Sequence, residues 1–182
     1  MKILFISPSY KPAYCYGGPT VSVSQLAETL VQLGNEVTIY TTTANGKTEL
    51  EVKENERVIL NGVAVYYFKR LTGDHTHISF ALWNKLNNTV DQFDIIHLQS
   101  WWSILIAGSA FICAIKKKKY IISPRGMLSA YTFQTGSSFY KKILHQLIGK
   151  RLLKNSYLHA TSVLEWKELL KLSKKIKGFI AY

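Results

Sequence analysis

The chain alternates short apolar runs with stretches whose apolar residues recur at helical spacing. The apolar runs predict strands at residues 2–7, 36–42, 94–98, 120–123 and 157–161, and a hairpin over 57–68 that turns at Asn61-Gly62. The helical stretches predict helices at residues 23–33, 80–90, 101–116, about 138–155 and 163–172. Strands that alternate with helices in this way indicate βαβ units. We therefore expect an α/β fold: a Rossmann-like, doubly wound, mostly parallel sheet with helices on both faces.

The chain is expected to form a single domain over residues 1–182, because no Pro-, Gly- or Ser-rich linker divides it. Its two cysteines, Cys15 and Cys113, lie far apart and outside any metal-binding motif, which favours free thiols and a cytoplasmic location. The longest apolar stretch, 104–115, is too short to span a bilayer and predicts a buried helix.

The positive charge is concentrated towards the end of the chain. The net charge is +12, with 8 Lys or Arg against 9 Asp or Glu in residues 1–115 and 15 against 2 in residues 116–182. Such asymmetry indicates an anionic partner, which could be nucleic acid, an anionic membrane or a phosphorylated substrate; a solubilising surface is the alternative. The lysines of this segment predict peripheral association with the inner membrane, without insertion of any segment.

A glycine pair, Gly17 and Gly18, lies between the first predicted strand and the first predicted helix. We expect the N-cap of that helix slightly later, at Thr20, Ser22 or Ser24. The two glycines expose backbone N–H groups, and a helix N-terminus favours negative charge, so phosphate or a sugar hydroxyl is the expected ligand; a simple turn is the alternative. The motifs G-x-G-x-x-G and G-x-x-x-x-G-K-[ST] are both missing, which argues against NAD-dependent and P-loop enzymes.

Further candidate residues follow later strands, at the carboxyl edge of the sheet where α/β proteins bind ligands. Arg125 lies between Pro124 and Gly126, which predicts an arginine held at a strand end with phosphate as its ligand. Gly126 permits a turn or the close approach of a substrate and is itself a candidate binding residue. Trp101 is the candidate for stacking on a sugar or an apolar acceptor, although one tryptophan of the pair Trp101 and Trp102 is expected in the core.

The remaining titratable residues offer few candidates. Glu165 is the main acidic residue expected near the crevice. His97 lies within a predicted strand and is expected to be a packed histidine rather than a base. The other histidines have no metal-binding spacing, so neither a metal nor another cofactor is predicted.

Taken in order, these segments resemble the N-terminal half of family 4-type glycosyltransferases of the GT-B fold. The resemblance rests on GGPTVSVSQLAETLVQLGNEVTIYTT, DIIHLQSWW, SPRGML and HATSVLE, and it covers residues 1 to about 172. It implies sugar transfer from a nucleotide-sugar donor to a glycan or lipid-linked acceptor, with retention of anomeric configuration and usually without metal. By this resemblance Gly17 and Gly18 would approach the donor diphosphate, Arg125 would bind phosphate or developing negative charge, and the residues around Trp101 would face the acceptor.

The family's second half, which holds the nucleotide and carries an E-x7-E motif, has no counterpart in the sequence. Glu28 and Glu36 have that spacing, but they fall on the first helix and the second strand, so we interpret the match as coincidence. The expectation is an N-terminal domain that lacks the donor-binding domain and is inactive alone. A non-enzymatic nucleic-acid-binding domain is the alternative because of the basic segment, but no recognition helix or aromatic RNA-binding motif is found, which makes nucleic acid an unexpected partner.

Overall fold

A computed structural model describes residues 1–128, 152–153, 156–172 and 176–181 of the chain. Its strands are β1 (Lys2–Ser7), β2 (Glu36–Thr42), β3 (Ala44–Asn45), β4 (Thr48–Glu49), β5 (Arg57–Leu60), β6 (Val63–Phe68), β7 (Ile95–Gln99), β8 (Tyr120–Ser123), β9 (Tyr157–Ala160) and β10 (Lys177–Ile180). Its helices are α1 (Gly18–Gln32), α2 (Phe80–Thr89), α3 (Ile104–Ile115) and α4 (Val163–Leu172), with 3-10 turns at Tyr14–Tyr16 and Val90–Gln92.

Eight strands form one sheet in the order β10-β9-β8-β7-β1-β2-β6-β5. All neighbours pair in parallel except β5 and β6, which form the antiparallel hairpin at one edge. The strands β3 and β4 form a separate small ribbon. This is the Rossmann-like α/β sheet expected from the sequence, and it brings the carboxyl ends of β1, β7 and β8 side by side.

The central strand β1 carries apolar side chains on both faces, because successive strand residues point to opposite sides. Leu4 and Ile6 join a hydrophobic cluster that includes residues of α2 and α3. Ile3 and Phe5 join a second cluster, which includes residues of α1. Helices therefore cover both faces of the sheet, as a doubly wound fold requires.

The hairpin turn was predicted correctly. Asn61 has φ of 50° and Gly62 has φ of 82°, so both central residues adopt the left-handed conformation that a two-residue turn of type I′ needs. The turn directs the short edge strand β5 back along β6 and leaves β6 parallel to β2.

Two helix starts differ from the prediction. The helix α1 begins at Gly18 with Gly17 as its N-cap, so the predicted caps Thr20, Ser22 and Ser24 are wrong; Pro19 in the first turn has the φ value that a helix start favours. The helix α3 begins at 104 rather than 101, after Ser103 in an extended conformation. The helix predicted over 138–155 lies outside the described residues, apart from 152 and 153, whose side chains are buried.

Candidate functional site

A cavity of about 580 Å³ opens at the carboxyl edge of the sheet, where the ends of β1, β7 and β8 lie together. Four loops provide most of its lining: Ser9, Tyr16 and Pro19 after β1, His75 and His77 after β6, Ser100, Trp102 and Ser103 after β7, and Arg125 and Met127 after β8. In an open α/β sheet this edge is where ligands bind.

The loop after β1 is fixed by hydrogen bonds before it reaches the glycine pair. The Ser7 hydroxyl donates to the Ser9 carbonyl at 2.7 Å, and the Thr42 hydroxyl donates to the Pro8 carbonyl at 2.6 Å. The loop therefore forms a stable wall of the cavity rather than a loose connection.

Backbone strain is concentrated around the cavity. His77, Ser100 and Arg125 have φ of 51°, 74° and 52°, and these three are half of the six non-glycine residues with positive φ in the part of the chain that the structure describes. A side chain in this conformation costs about 1–2 kcal/mol, and such strain is typical of functional sites.

Arg125 is held in place by two hydrogen bonds in the cavity. Its Nε donates to Gln99 Oε1 at 2.9 Å, and its Nη1 donates to Ser22 Oγ at 2.7 Å. Burial lowers the pKa of the guanidinium and the nearby Glu165 carboxylate raises it, so Arg125 stays charged at neutral pH. Arg125 is thus a pre-oriented cation at the position that the sequence predicted.

Two buried polar atoms of the cavity have no hydrogen-bond partner among the described residues: Gln99 Nε2 and His77 Nδ1. The Gln99 residue is 1% exposed and His77 is 5% exposed. Arg125 can only donate, so Gln99 must direct its Oε1 towards the guanidinium and its NH₂ group away from it. An unpaired buried polar atom costs about 1–3 kcal/mol, and a ligand with hydroxyl or phosphate oxygens would recover that loss.

His77 is a neutral imidazole at physiological pH. Burial lowers its pKa to about 4, and the positive charge of Arg70 contributes to the shift. The ring of Tyr16 lies edge-on to it, with the ring centroids 6.1 Å apart. His77 is therefore a neutral hydrogen-bonding group at the cavity and not a permanent cation.

The glycine pair leaves room for a ligand at the start of α1. A Cβ atom placed on Gly17 or Gly18 would have no other atom within 4 Å. The Gly17 amide already donates to the Tyr14 carbonyl at 2.9 Å, whereas the Gly18 amide lies in the first helical turn, where amides lack an intrahelical partner. Gly18 is thus the better candidate for direct contact with an anion.

The two tryptophans lie on different sides of their loop. Trp101 is 5% exposed and belongs to the hydrophobic cluster, so it is the core member of the pair, and its contact with an acceptor stays a prediction. Trp102 lines the cavity, and its indole N–H donates to the Met127 carbonyl. Ser100 turns the chain between β7 and this pair, and the direction of that turn was not evident from the sequence.

Glu165 holds the Arg125 loop and does not line the cavity. Its Oε1 accepts from the Gly126 amide at 2.6 Å, and its Oε2 accepts from the amide and hydroxyl of Thr161 at 2.7 and 2.8 Å. Gly126 itself adopts φ of 75° to complete the turn. Both residues line a smaller cavity of about 220 Å³. Glu165 thus positions the Arg125 loop in this structure, and its contact with substrate stays a prediction.

A chain of hydrogen bonds joins the strand ends beneath the cavity. His97 Nε2 lies 2.7 Å from Ser123 Oγ, which lies 2.7 Å from His159 Nδ1, and His159 Nε2 lies 3.0 Å from the Ala181 carbonyl. A carbonyl can only accept, so His159 carries its proton on Nε2, Ser123 donates to His159, and His97 donates to Ser123. The network fixes one tautomer of each neutral ring and confirms that His97 is a packed residue.

The sequence profile of Glycosyltransferase Family 4 matches residues 16–171, which is most of the chain and includes the cavity-lining loops after β6, β7 and β8. The chain belongs to glycosyltransferase family 4. No curated protein matches this family 4 chain at a significant level.

Solved structures share its fold. Sucrose-phosphate synthase of Thermosynechococcus elongatus matches with a TM-score of 0.66 at 18% identity, over 99% of this chain and 47% of that protein. HepE of Anabaena, in complex with UDP and glucose, matches with a TM-score of 0.63 at 18% identity, over 100% of this chain and 44% of that protein. The family 4 chain therefore spans about half the length of these structures.

The described part of the family 4 chain contains no cluster of His, Cys, Asp or Glu suited to a metal ion. None of its described helices is long and apolar enough to cross a membrane.

Sequence reasoning missed the contribution of the loop after β6, with His75 and His77. No local motif identifies these histidines. These histidines could have been found only from the direction of β6. Because β6 runs parallel to β2, the loop that follows it lies at the same edge of the sheet as the glycine pair.

Proposed function

We propose that this chain is the N-terminal, acceptor-side half of a retaining glycosyltransferase that transfers a sugar from a nucleotide-sugar to a glycan or lipid-linked acceptor. Membership of family 4 supports the reaction class. The observation that carries the proposal is the cavity itself, in which a fixed arginine and two unpaired buried polar atoms surround space for a polar ligand.

The second step of the proposal is that a donor-binding domain must face this cavity. The solved structures that share the fold are about twice as long as the chain. HepE is described in complex with UDP and glucose, which supports a nucleotide-sugar as the donor here. The 182 residues alone are then inactive, and the diphosphate lies between the two halves.

The cavity residues take the following roles in this proposal. Gly18 and the start of α1 approach the donor diphosphate, because helix amides stabilise anions. Arg125 stabilises the negative charge that develops on the diphosphate as the sugar leaves. Trp102 provides an aromatic wall for the acceptor, while Gln99 and His77 bind hydroxyl groups.

Arg125→Ala tests the assignment of the arginine. Transfer is assayed with the product of the complete reading frame, by following nucleotide release from a panel of nucleotide-sugars with candidate acceptors. We expect kcat to fall by about 10²-fold or more, because the developing charge loses a pre-oriented donor. Arg57→Ala is the matched control, since it removes an exposed arginine of β5, which lies at the sheet's edge and does not line the cavity.

Four results test the separate parts of the proposal. Wild-type activity in the Arg125 variant removes that residue from the site. Absence of transfer with every donor and acceptor counts against the enzyme as a whole. NMR of the product anomer checks retention, and transfer by the 182-residue chain alone would show that no further domain is needed.

A further inference from the structure

The helices α2 and α3 expose large apolar side chains on their outer surface. Phe80 is 65% exposed, Phe111 is 55% exposed and Ile115 is 62% exposed. Positions 104, 111 and 115 fall on one side of α3, because residues about 7 and 11 positions apart return to the same helix face. The opposite side of α3 packs against the sheet through residues such as Leu105 and Ala110.

Trp83 joins the exposed residues of the two helices into one surface. Its indole packs so closely on α3 that a Cβ atom at Gly108 would lie 2.5 Å from the ring. Its N–H donates to the Leu105 carbonyl at 3.0 Å, and its ring centroid is 5.7 Å from that of Phe80. We call the surface formed by Phe80, Trp83, Ile104, Phe111 and Ile115 the α2–α3 face.

The α2–α3 face lacks the polar pattern of an ordinary surface helix. The sequence of α3, ILIAGSAFICAI, contains no charged residue, and its Ser109 is buried. A helix that packs on a sheet usually presents polar residues to water. Contiguous exposed apolar surfaces generally mark sites where a protein or a membrane binds.

Basic residues border this face. Lys116, Lys117 and Lys119 follow α3 directly, and all three are exposed. Lys118 instead turns back towards Asp91, at 3.7 Å. The sequence from 95 to 164 contains ten Lys or Arg and no Asp or Glu, so no acidic residue of this segment offsets the lysines.

We propose that the α2–α3 face docks on a lipid bilayer with anionic headgroups, with Phe111 and Ile115 inserted at the acyl boundary and Lys116, Lys117 and Lys119 on the phosphates. Apolar side chains beside a cationic border are the pattern of a protein that lies on a membrane surface. A nucleic acid would match the lysines but would leave the exposed Ile104 and Ile115 without an apolar partner. The sequence alone predicted only the electrostatic part of this association.

The orientation has one consequence that rests on the proposed function. The helix α3 begins just after Ser103, which lines the cavity, and ends at the lysines. A membrane that contacts α3 would therefore lie beside the acceptor cavity, within reach of a lipid-linked acceptor. The docking itself is tested without any transferase assay, so its failure and the failure of the proposed function are distinguishable.

The experiment is co-sedimentation of the chain with vesicles of phosphatidylcholine, alone or with about 30% phosphatidylglycerol, at 50 mM and 500 mM salt (concentrations chosen to bracket electrostatic screening). We expect the wild-type chain to partition at least about tenfold more strongly onto the anionic vesicles at low salt. Phe111→Gln combined with Ile115→Gln should reduce that partition about fivefold or more. Leu33→Gln with Leu71→Gln is the matched control, since it removes two exposed apolar side chains elsewhere and should leave binding unchanged.

The lysines are tested in the same way. Gln replaces Lys116, Lys117 and Lys119 together, with Lys2, Lys47 and Lys53 as the control set of exposed lysines. The first set should weaken binding and reduce its salt dependence, whereas the control set should do neither. Circular dichroism and the thermal midpoint verify that each variant folds.

Several results would overturn the proposal. One is a chain that stays in the supernatant with anionic vesicles at low salt. Another is unchanged binding when Phe111 and Ile115 are replaced, because the apolar face would then take no part. A third is a wild-type dimer in analytical ultracentrifugation that the same replacement dissociates while vesicle binding persists, since the face would then join two copies of the chain.

Discussion

At the scale of single residues, Gly17 and Gly18 differ in how an alanine substitution would affect the stability of the fold. Gly17 has φ of 66°, so Gly17→Ala strains the backbone and should lower the free energy of unfolding by about 1–2 kcal/mol. Gly18 lies in α1 and a Cβ atom there meets nothing within 4 Å, so Gly18→Ala should leave stability unchanged. Any loss of function in Gly18→Ala therefore reports on a ligand rather than on folding.

If the proposed function is right, Gly18→Ala should weaken binding of the nucleotide-sugar donor roughly tenfold, with UDP and UDP-glucose as probes, because the methyl group would occupy the space in front of the first amides of α1. Calorimetric titration of the complete protein measures the affinity, and urea unfolding measures stability. Unchanged affinity would place the diphosphate elsewhere. Gln25→Ala, at an exposed position later in α1 that does not line the cavity, is the control.

For the predicted site residues, local backbone restriction could be inferred from the sequence, whereas the direction of the side chains depends on the tertiary structure. Arg125 was predicted because the proline and glycine on either side restrict its backbone, and it lies in the cavity. Trp101 and Trp102 were indistinguishable, since their directions depend on the turn at Ser100. Glu165 lies behind the Arg125 loop, and its hydrogen bonds to the amides of Gly126 and Thr161 could not be predicted because they depend on the tertiary structure.

At the scale of secondary-structure elements, the contact between α2 and α3 depends on one glycine. A Cβ atom at Gly108 would lie 2.5 and 2.6 Å from two ring atoms of Trp83, whose N–H is tied to the Leu105 carbonyl. The ring cannot retreat without breaking that bond or leaving its place beside Phe80. The close approach explains why a glycine occupies the middle of an otherwise apolar helix.

We expect Gly108→Ala to lower the free energy of unfolding by about 1 kcal/mol. Overpacking costs about 1–3 kcal/mol, and the gain in helix propensity from alanine offsets about 1 kcal/mol of it. Urea unfolding followed by circular dichroism gives the change. Gly108→Ala combined with Trp83→Phe should recover part of the loss, because the smaller ring relieves the clash. If Gly108→Ala alone is as stable as the wild type, α2 and α3 can move apart without cost and the close contact is not a constraint.

The strands and helices could largely be predicted from the sequence, whereas the order of the strands in the sheet could not. Apolar runs identified β1, β2, β7, β8 and β9 because these strands are buried and parallel. The edge strand β10 escaped notice because its sequence, KGFI, is short, mostly exposed and without alternation. The sheet order places β6 beside β2, and only that order reveals that the loop with His77 reaches the cavity.

At the scale of the whole molecule, a network of hydrogen-bonded polar side chains is buried at the carboxyl edge of the sheet. The network of His97, Ser123 and His159 crosses β7, β8 and β9 and ends at the Ala181 carbonyl after β10. Burial lowers the pKa of His97 to about 3, and two smaller effects add to that shift: repulsion from His159 in its protonated form and from the positive charge of Arg125. Burial also lowers the pKa of His159, so both rings stay neutral in the folded chain at neutral pH.

This burial makes the stability of the chain depend on pH in one direction. An unfolded histidine has a pKa of about 6.5, so below that pH the unfolded chain binds more protons than the folded chain, whose His97 titrates only near pH 3. Stability is therefore complete above about pH 6.5 and is lost progressively as the pH falls towards 3. For His97 alone the loss at pH 5 is about 2 kcal/mol, and His77, with its pKa lowered to about 4, adds to it.

Urea unfolding at pH 7 and pH 5 measures this loss, and His97→Gln identifies its source. Glutamine keeps an N–H donor for Ser123 but does not titrate, so the variant should be less stable at pH 7 yet lose about 2 kcal/mol less than the wild type between pH 7 and pH 5. Repulsion among the positive charges also grows at low pH in a chain of net charge +12, and 0.5 M salt screens that contribution (a Debye length of roughly 4 Å) without protonating or deprotonating a buried ring. A pH dependence that salt abolishes, or that is identical in His97→Gln, would assign the effect to surface charge instead of to the buried histidines.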